Sequence, residues 1–119
     1  MKSMQLLEGL EFDDANAHSQ PLLVAPEGRI LRFTLRPGQV VREHQAPHSP
    51  VYIVALKGQG MYAGGDGKEH QFGPNALLIF EAGESHSIRA MNEEVVFVTF
   101  LREAPGAGQF PSRVKSERQ

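Results

Sequence analysis

Turn-forming residues recur at short intervals along this chain and divide it into segments too short for long helices. Breaks that contain Gly or Pro fall at 37–38, 58–60, 64–67, 73–75 and 82–85, and a further turn signal without either residue falls at 91–94. Between them lie short segments that are predicted to be strands, among them 61–63, 68–72, 76–80 and 86–90. Gly-rich breaks of this kind are typical of hairpin turns. No long stretch shows a helical period, although residues 13–20 are compatible with one helical turn. The spacing therefore predicts an all-β sandwich or barrel of about eight or more antiparallel strands with little helix.

Alternation of side-chain character indicates which face of a strand is buried. Leu31, Phe33 and Leu35 alternate with polar residues, so one face of this segment is apolar and the other is expected to face solvent. The segment that starts at His86 places that histidine on the same face as Ile88 and Ala90. Residues 51–56 and 95–101 are apolar on both faces, which predicts that both faces of these strands are covered.

The chain length suits one domain with three parts. A chain of 119 residues forms one core, and the strand signals are concentrated in residues 29–103, the predicted barrel. Residues 1–28 are predicted to pack on the barrel or on a partner subunit. Residues 104–119 are rich in Gly, Pro, Ser and charge, which predicts a flexible tail.

Composition excludes several classes of function. The chain has no cysteine, so disulfides and thiolate metal sites are excluded. The formal net charge of −2 gives no general attraction to nucleic acid or to anionic membranes. No apolar stretch reaches the roughly 18 residues of a membrane span, and the acidic start does not have the composition of a signal peptide. A cytoplasmic protein is the resulting expectation.

Three of the five histidines stand where strand and turn signals meet. His44 ends a strand, His48 lies four residues later between Pro47 and Pro50, and His86 opens another strand. Neutral imidazole is a common ligand of transition metals, and three imidazoles with open positions suit a catalytic metal better than a closed structural one. Histidines in such positions also occur as solvated turn residues or with their ring nitrogens bound to the backbone. The spacing alone leaves both interpretations open.

Two stretches around these histidines resemble the two motifs of the cupin family. Gly38, five residues and His44, ending at Gly58, match the first motif, while Gly83 and His86 match the second. Within the second motif Asn75 replaces a Gly and Glu81 replaces a Pro. The resemblance covers roughly residues 29–101 and implies a cupin or jelly-roll β-barrel. It is specific for the fold and weak for an activity, since one fold hosts many functions.

The departures from the family motif concern its metal ligands. The resemblance implies three histidines and one glutamate, of which His44 and His86 are present, whereas Ala46 and Val51 occupy the other two positions. His48 is near these positions and is predicted to replace a missing ligand. The expected cofactor is a divalent transition metal, namely zinc, nickel, copper or iron. The alternative is a metal-free pocket in which the same histidines form hydrogen bonds or exchange protons.

The sequence thus predicts a small-molecule-binding barrel with a His-rich pocket, or a metal-free binding or sensing module without catalysis. It identifies no catalytic residue and no substrate. The residues predicted to line the pocket are Phe33, Tyr52, Met61, Phe80, Ile88 and Phe97. A homodimer is also expected, because the two-faced apolar strands and residues 6–10 require cover.

Overall fold

Nine β-strands and no helix make up the regular structure of residues 1–102, the part of the chain that this computed structural model describes. The predicted tail at 104–119 lies outside the described residues. Within residues 1–102 there is accordingly no helix of the length and apolar character that crossing a membrane requires. The strands are β1 (His18–Ala25), β2 (Gly28–Leu35), β3 (Val40–His44), β4 (Val51–Lys57), β5 (Gly60–Ala63), β6 (Glu69–Phe72), β7 (Leu77–Phe80), β8 (His86–Ala90) and β9 (Val95–Leu101).

The strands form two antiparallel sheets. The five-stranded sheet has the order β1-β2-β9-β4-β7, and the four-stranded sheet has the order β3-β8-β5-β6. The chain crosses from one sheet to the other between β2 and β3 and again between β3 and β4, which is the connectivity expected of a jelly roll. The predicted all-β jelly-roll fold is confirmed, with two separate sheets in place of one closed barrel.

The core lies between the two sheets and is built from alternate residues of their strands. Phe97 of β9 is 1% exposed and stacks on Phe33 of β2, with ring centroids 4.9 Å apart. Tyr62 of β5, in the opposite sheet, meets Phe97 edge-on at 6.2 Å. Burial of one such side chain stabilises the fold by about 1.5–3 kcal/mol. This aromatic cluster therefore holds the two sheets together.

The N-terminal residues cross the outer face of the five-stranded sheet and are tied to it by a buried arginine. The guanidinium of Arg32, which is 5% exposed as a residue, donates to the carbonyl oxygens of Leu6, Glu8 and Gly9. It also donates to the side-chain oxygen of Gln20. Burying this charge is tolerable because several oxygen acceptors surround it.

The helical turn considered for residues 13–20 is wrong, and a strand begins there. The Asp13 carboxylate accepts the backbone N–H groups of Ala15 and Asn16, which forms a turn, and β1 then begins at His18. β1 pairs with β2 from His18 to Ala25, with one irregularity between Pro21 and Leu23, so tertiary pairing decides its conformation. The segment HSQPLLVA has no clear alternation of apolar and polar residues, and for this reason the sequence gives no strand signal.

Candidate histidine site

His44 and His86 lie side by side at one end of the four-stranded sheet. They are Cα partners across β3 and β8, and their ring centroids are 4.1 Å apart with the planes inclined by 58°. The two strands are neighbours within one sheet, which brings the rings into direct contact.

An irregularity in β3 helps to produce this contact. The register of β3 against β8 shifts between Val41 and His44. Such bulges bend a strand and redirect its side chains. Because the shift comes just before His44, it determines how this imidazole meets the ring of His86.

His86 is the buried member of the pair. It is 3% exposed, and its ring stacks on Phe80 with centroids 4.8 Å apart. Burial, together with the neighbouring His44, lowers the pKa of His86 from 6.5 to about 4, against a smaller opposing effect of Glu84. His86 is therefore a neutral imidazole at neutral pH.

Backbone carbonyls determine which nitrogen of each neutral ring carries the proton. Nδ1 of His86 is 3.2 Å from the carbonyl oxygen of Glu84, and Nδ1 of His44 is 2.9 Å from that of Arg42. A carbonyl oxygen only accepts hydrogen bonds, so each Nδ1 carries the hydrogen and donates it. In the neutral rings this leaves Nε2 of both histidines as an unprotonated acceptor.

The loop that contains His48 is attached to the loop that precedes His86. The backbone N–H of Gly83 donates to the carbonyl oxygen of Ala46 at 2.9 Å, and the side chain of Gln45 donates to the hydroxyl of Ser85 at 3.1 Å. Gln45 and Ser85 were not identified from the sequence, and their only signal was their position next to the candidate histidines. His48 itself is exposed. The structure thus joins the two loops but leaves His48 toward solvent.

The side chains near the pair do not form a set of metal ligands. Among residues 1–102 no group of three or more His, Asp or Glu side chains is placed to hold a metal ion. Val51, at a ligand position of the family motif, is 3% exposed and belongs to the apolar core, and Ala46 packs against that core. The pair of imidazoles as it stands therefore does not fit a tightly held divalent ion, and a metal role of His48 stays a prediction.

Four of the six residues predicted to line the pocket face the interior. Phe80, Ile88 and Phe97 belong to the buried core, and Phe33 packs against it. Tyr52 and Met61 do not face it. Tyr52 is 41% exposed between the buried residues Val51 and Ile53, so strand alternation turns it outward.

Met61 also points away from the interior. It is the partner of Arg89, which is exposed and paired with Glu69 on the outside of the four-stranded sheet. Its neighbour Tyr62, 2% exposed, takes the inward position instead. The burial of Tyr62 raises the pKa of its hydroxyl to about 12.

Comparison with known proteins gives a consistent family. The model of the family described as "Cupin domain" matches residues 31–101. An RmlC-like cupin protein from Desulfovibrio desulfuricans has 25% sequence identity and a TM-score of 0.79, over 86% of this chain and 96% of that one. TT1209 from Thermus thermophilus has 19% identity and a TM-score of 0.81, over 87% and 100% of the two chains. KdgF from a Halomonas species has 11% identity and a TM-score of 0.72, over 87% and 96%. No curated protein matches the sequence.

Proposed function

Since the chain belongs to the cupin domain family, we propose that it binds a small polar molecule at the His44–His86 pair without a tightly held metal ion. The observation that carries the proposal is the contact of these two imidazoles, 4.1 Å apart, with no third ligand grouped beside them in the described residues. The proposal assigns binding and leaves a chemical reaction unassigned.

The chemistry of the pair suggests what it would recognise. Nε2 of each neutral ring is a hydrogen-bond acceptor, because the ring's single hydrogen is on Nδ1, which donates it to a backbone carbonyl oxygen. Two adjacent acceptors suit a ligand with two adjacent donors, such as the hydroxyl groups of a vicinal diol. The ring of Phe80 stacks on His86 and holds that imidazole in place, and the Gln45–Ser85 hydrogen bond lies next to the pair in sequence. We therefore expect a small polyhydroxylated ligand.

A divalent transition metal is the second candidate for this site. The hydrogen bonds from Nδ1 to a carbonyl oxygen favour it, because metal-binding histidines are commonly oriented in this way. The ion would be zinc, nickel, copper or iron, and His48 would have to move from its exposed position to complete the ligands. Two imidazoles alone hold such an ion weakly. The donor set therefore favours the metal-free proposal.

Metal analysis separates the two candidates. The full chain, purified without a His tag and without added metal, is analysed for zinc, nickel, copper and iron. We expect much less than one equivalent of any of them. One equivalent per chain that disappears in both His44→Ala and His48→Ala would overturn the metal-free proposal and support the three-histidine site.

Ligand binding is tested with a panel of simple diols, sugars and hydroxy acids in a thermal-shift assay. The expected result is that at least one compound raises the unfolding temperature of the chelator-treated protein. The shift should disappear in His44→Ala and in His86→Phe, and it should remain in His70→Ala, because His70 is an exposed histidine on β6. A shift that survives both site variants would place the binding elsewhere and contradict the proposal.

A further inference from the structure

The carboxylate of Glu84 joins two turns that are far apart in sequence. Its Oε2 accepts the backbone N–H of Gly65, in the turn between β5 and β6, at 2.9 Å. Its Oε1 accepts the backbone N–H of Glu81, in the turn between β7 and β8, also at 2.9 Å. The backbone N–H of Glu84 donates to the carbonyl oxygen of Glu81, which closes that second turn. Since hydrogen bonds to a charged acceptor are stronger than those between neutral groups, this one side chain fixes both turns.

The Glu84 side chain is a carboxylate at neutral pH. The backbone hydrogen bonds from Gly65 and from Glu81 lower the pKa of its carboxyl below the usual range. A carboxylate only accepts hydrogen bonds, and each of its two oxygens has a backbone donor here. The connection between the turns therefore forms without the gain or loss of a proton.

The close approach of this carboxylate depends on a glycine at position 64. A Cβ on Gly64 would lie 2.7 Å from Oε2 of Glu84 and 3.5 Å from the ring of Phe80. The lack of a side chain at Gly64 thus leaves room for both groups. Phe80 stacks on His86 with ring centroids 4.8 Å apart. The turn at Gly64 is therefore linked to the histidine site through the ring and through the carboxylate.

The backbone of Glu84 contacts His86 directly. Its carbonyl oxygen accepts the Nδ1 hydrogen of His86 at 3.2 Å, and this bond decides which ring nitrogen carries the proton. The direction of that carbonyl depends on the conformation of the turn at residues 81–84, which the Glu84 carboxylate fixes. The side chain and the backbone of one residue thus act on the same imidazole.

We propose that Glu84 is a positioning residue of the histidine site, because its carboxylate fixes the turn whose carbonyl oxygen keeps the proton of His86 on Nδ1. Nε2 of His86 is then held as an acceptor beside that of His44. The value of this acceptor for a ligand rests on the function proposed above. Glu84 occupies one of the two positions between Gly83 and His86 at which the family motif specifies no residue type, so this role does not follow from the resemblance.

The tautomer of His86 tests this proposal directly. Long-range ¹H–¹⁵N correlation spectra of the ¹⁵N-labelled, chelator-treated full chain at about pH 7.5 distinguish protonated from unprotonated ring nitrogens. The signals of His86 are identified by their absence in His86→Phe. In the unchanged protein we expect Nδ1 of His86 to carry the proton. Glu84→Ala should lose this preference and give a mixture of both tautomers.

Gly64→Ala tests the same contact without removing Glu84 or its charge. The added methyl group would displace the flexible end of the Glu84 side chain. Gly64 does not have a left-handed φ, so the alanine itself is not strained. This variant should therefore fold and should give the same mixture of His86 tautomers as Glu84→Ala.

Glu81→Gln is the matched control. Glu81 belongs to the same turn and carries the same charge, but its side chain is exposed and its hydrogen bonds to Glu84 run through its backbone. The substitution removes one negative charge near His86 and leaves the connection between the turns in place. The tautomer of His86 should stay as in the unchanged protein.

The proposal is overturned if His86 keeps its proton on Nδ1 in folded Glu84→Ala and Gly64→Ala, or if Glu81→Gln changes the tautomer as much as Glu84→Ala does. If Glu84→Ala does not fold, Gly64→Ala alone decides. A compound that binds the unchanged protein should bind up to about tenfold more weakly to Glu84→Ala and equally well to Glu81→Gln. If no compound binds the unchanged protein, the proposed function fails, whereas the spectra still decide the role of Glu84.

Discussion

At the scale of single residues, His86 shows how surroundings that no short motif encodes decide the chemistry of a side chain. The sequence predicts a histidine near a turn, with an inward parity shared with Ile88. It gives no indication of the stacking on Phe80 or of the ring of His44, because both contacts depend on which strands become neighbours. The neutral state of His86 at neutral pH follows from these contacts and not from the motif.

The first prediction concerns the stability of the chelator-treated protein as a function of pH. The pKa of His86 is about 4 in the folded chain and 6.5 in its ordinary state, so protonation favours the unfolded chain. This contribution is complete above about pH 6.5 and is lost as the pH falls toward 4. Between about pH 7.5 and 5, the free energy of unfolding should fall by about 2 kcal/mol from this residue.

Urea unfolding of the unchanged protein, His86→Phe and His70→Phe measures this effect. The decrease in the free energy of unfolding between about pH 7.5 and 5 should be about 2 kcal/mol smaller in His86→Phe. This variant keeps an aromatic ring beside Phe80 but does not titrate. The control is His70→Phe, which replaces an exposed histidine and should behave as the unchanged protein. The explanation is wrong if His86→Phe loses stability in parallel with the unchanged protein across this pH range.

At the scale of elements, strands with a regular alternation of apolar and polar residues are predictable from the sequence. Strands that form only because a neighbouring strand pairs with them are not. The alternation at Leu31, Phe33 and Leu35 predicted β2 and its inward face correctly. β1 has no such alternation and exists because β2 offers it a partner. Tyr52 is predicted to line the pocket, but the parity of β4 directs this side chain outward.

The second prediction compares two glycines that the family motif includes. Gly38 and Gly58 have nearly the same left-handed φ, +81° and +82°. A Cβ on Gly38 meets nothing within 4 Å, so Gly38→Ala should cost only the backbone strain, about 1–2 kcal/mol. A Cβ on Gly58 would lie 1.9 Å from the backbone oxygen of Glu94, which belongs to the turn before β9.

Gly58→Ala should therefore cost more than about 4 kcal/mol or prevent folding, since the backbone itself must move. Soluble yield and urea midpoints of the two variants, produced side by side, check this difference. Equal midpoints for Gly38→Ala and Gly58→Ala would show that the turn at Glu94 yields easily and that the predicted clash does not constrain the fold.

At the scale of the whole molecule, the sequence was sufficient for the all-β jelly roll but not for the arrangement of its sheets. Turn spacing determines how many strands there are, and the two cupin motifs locate His44 and His86. The neighbours of each strand depend on long-range contacts between residues far apart in sequence. Consequently the pairing of β3 with β8 appeared only in the structure.

The last prediction uses two phenylalanines of β9 to separate the core from the homodimer that the sequence leads us to expect. Phe97 joins the two sheets through Phe33 and Tyr62 and is 1% exposed, so Phe97→Ala leaves a cavity and should cost about 3–5 kcal/mol. This loss should be the same at every protein concentration, because it arises within one chain.

Phe100 is 37% exposed on the outer face of the five-stranded sheet, where a second copy of the chain could cover it. Phe100→Ala should cost less, and its cost should shrink as the protein is diluted, because dimer stability depends on concentration. Urea unfolding at about 1 and 100 μM distinguishes the two effects. A cost of Phe100→Ala that does not change with dilution would mean that this side chain stabilises the monomer, and it would count against the homodimer.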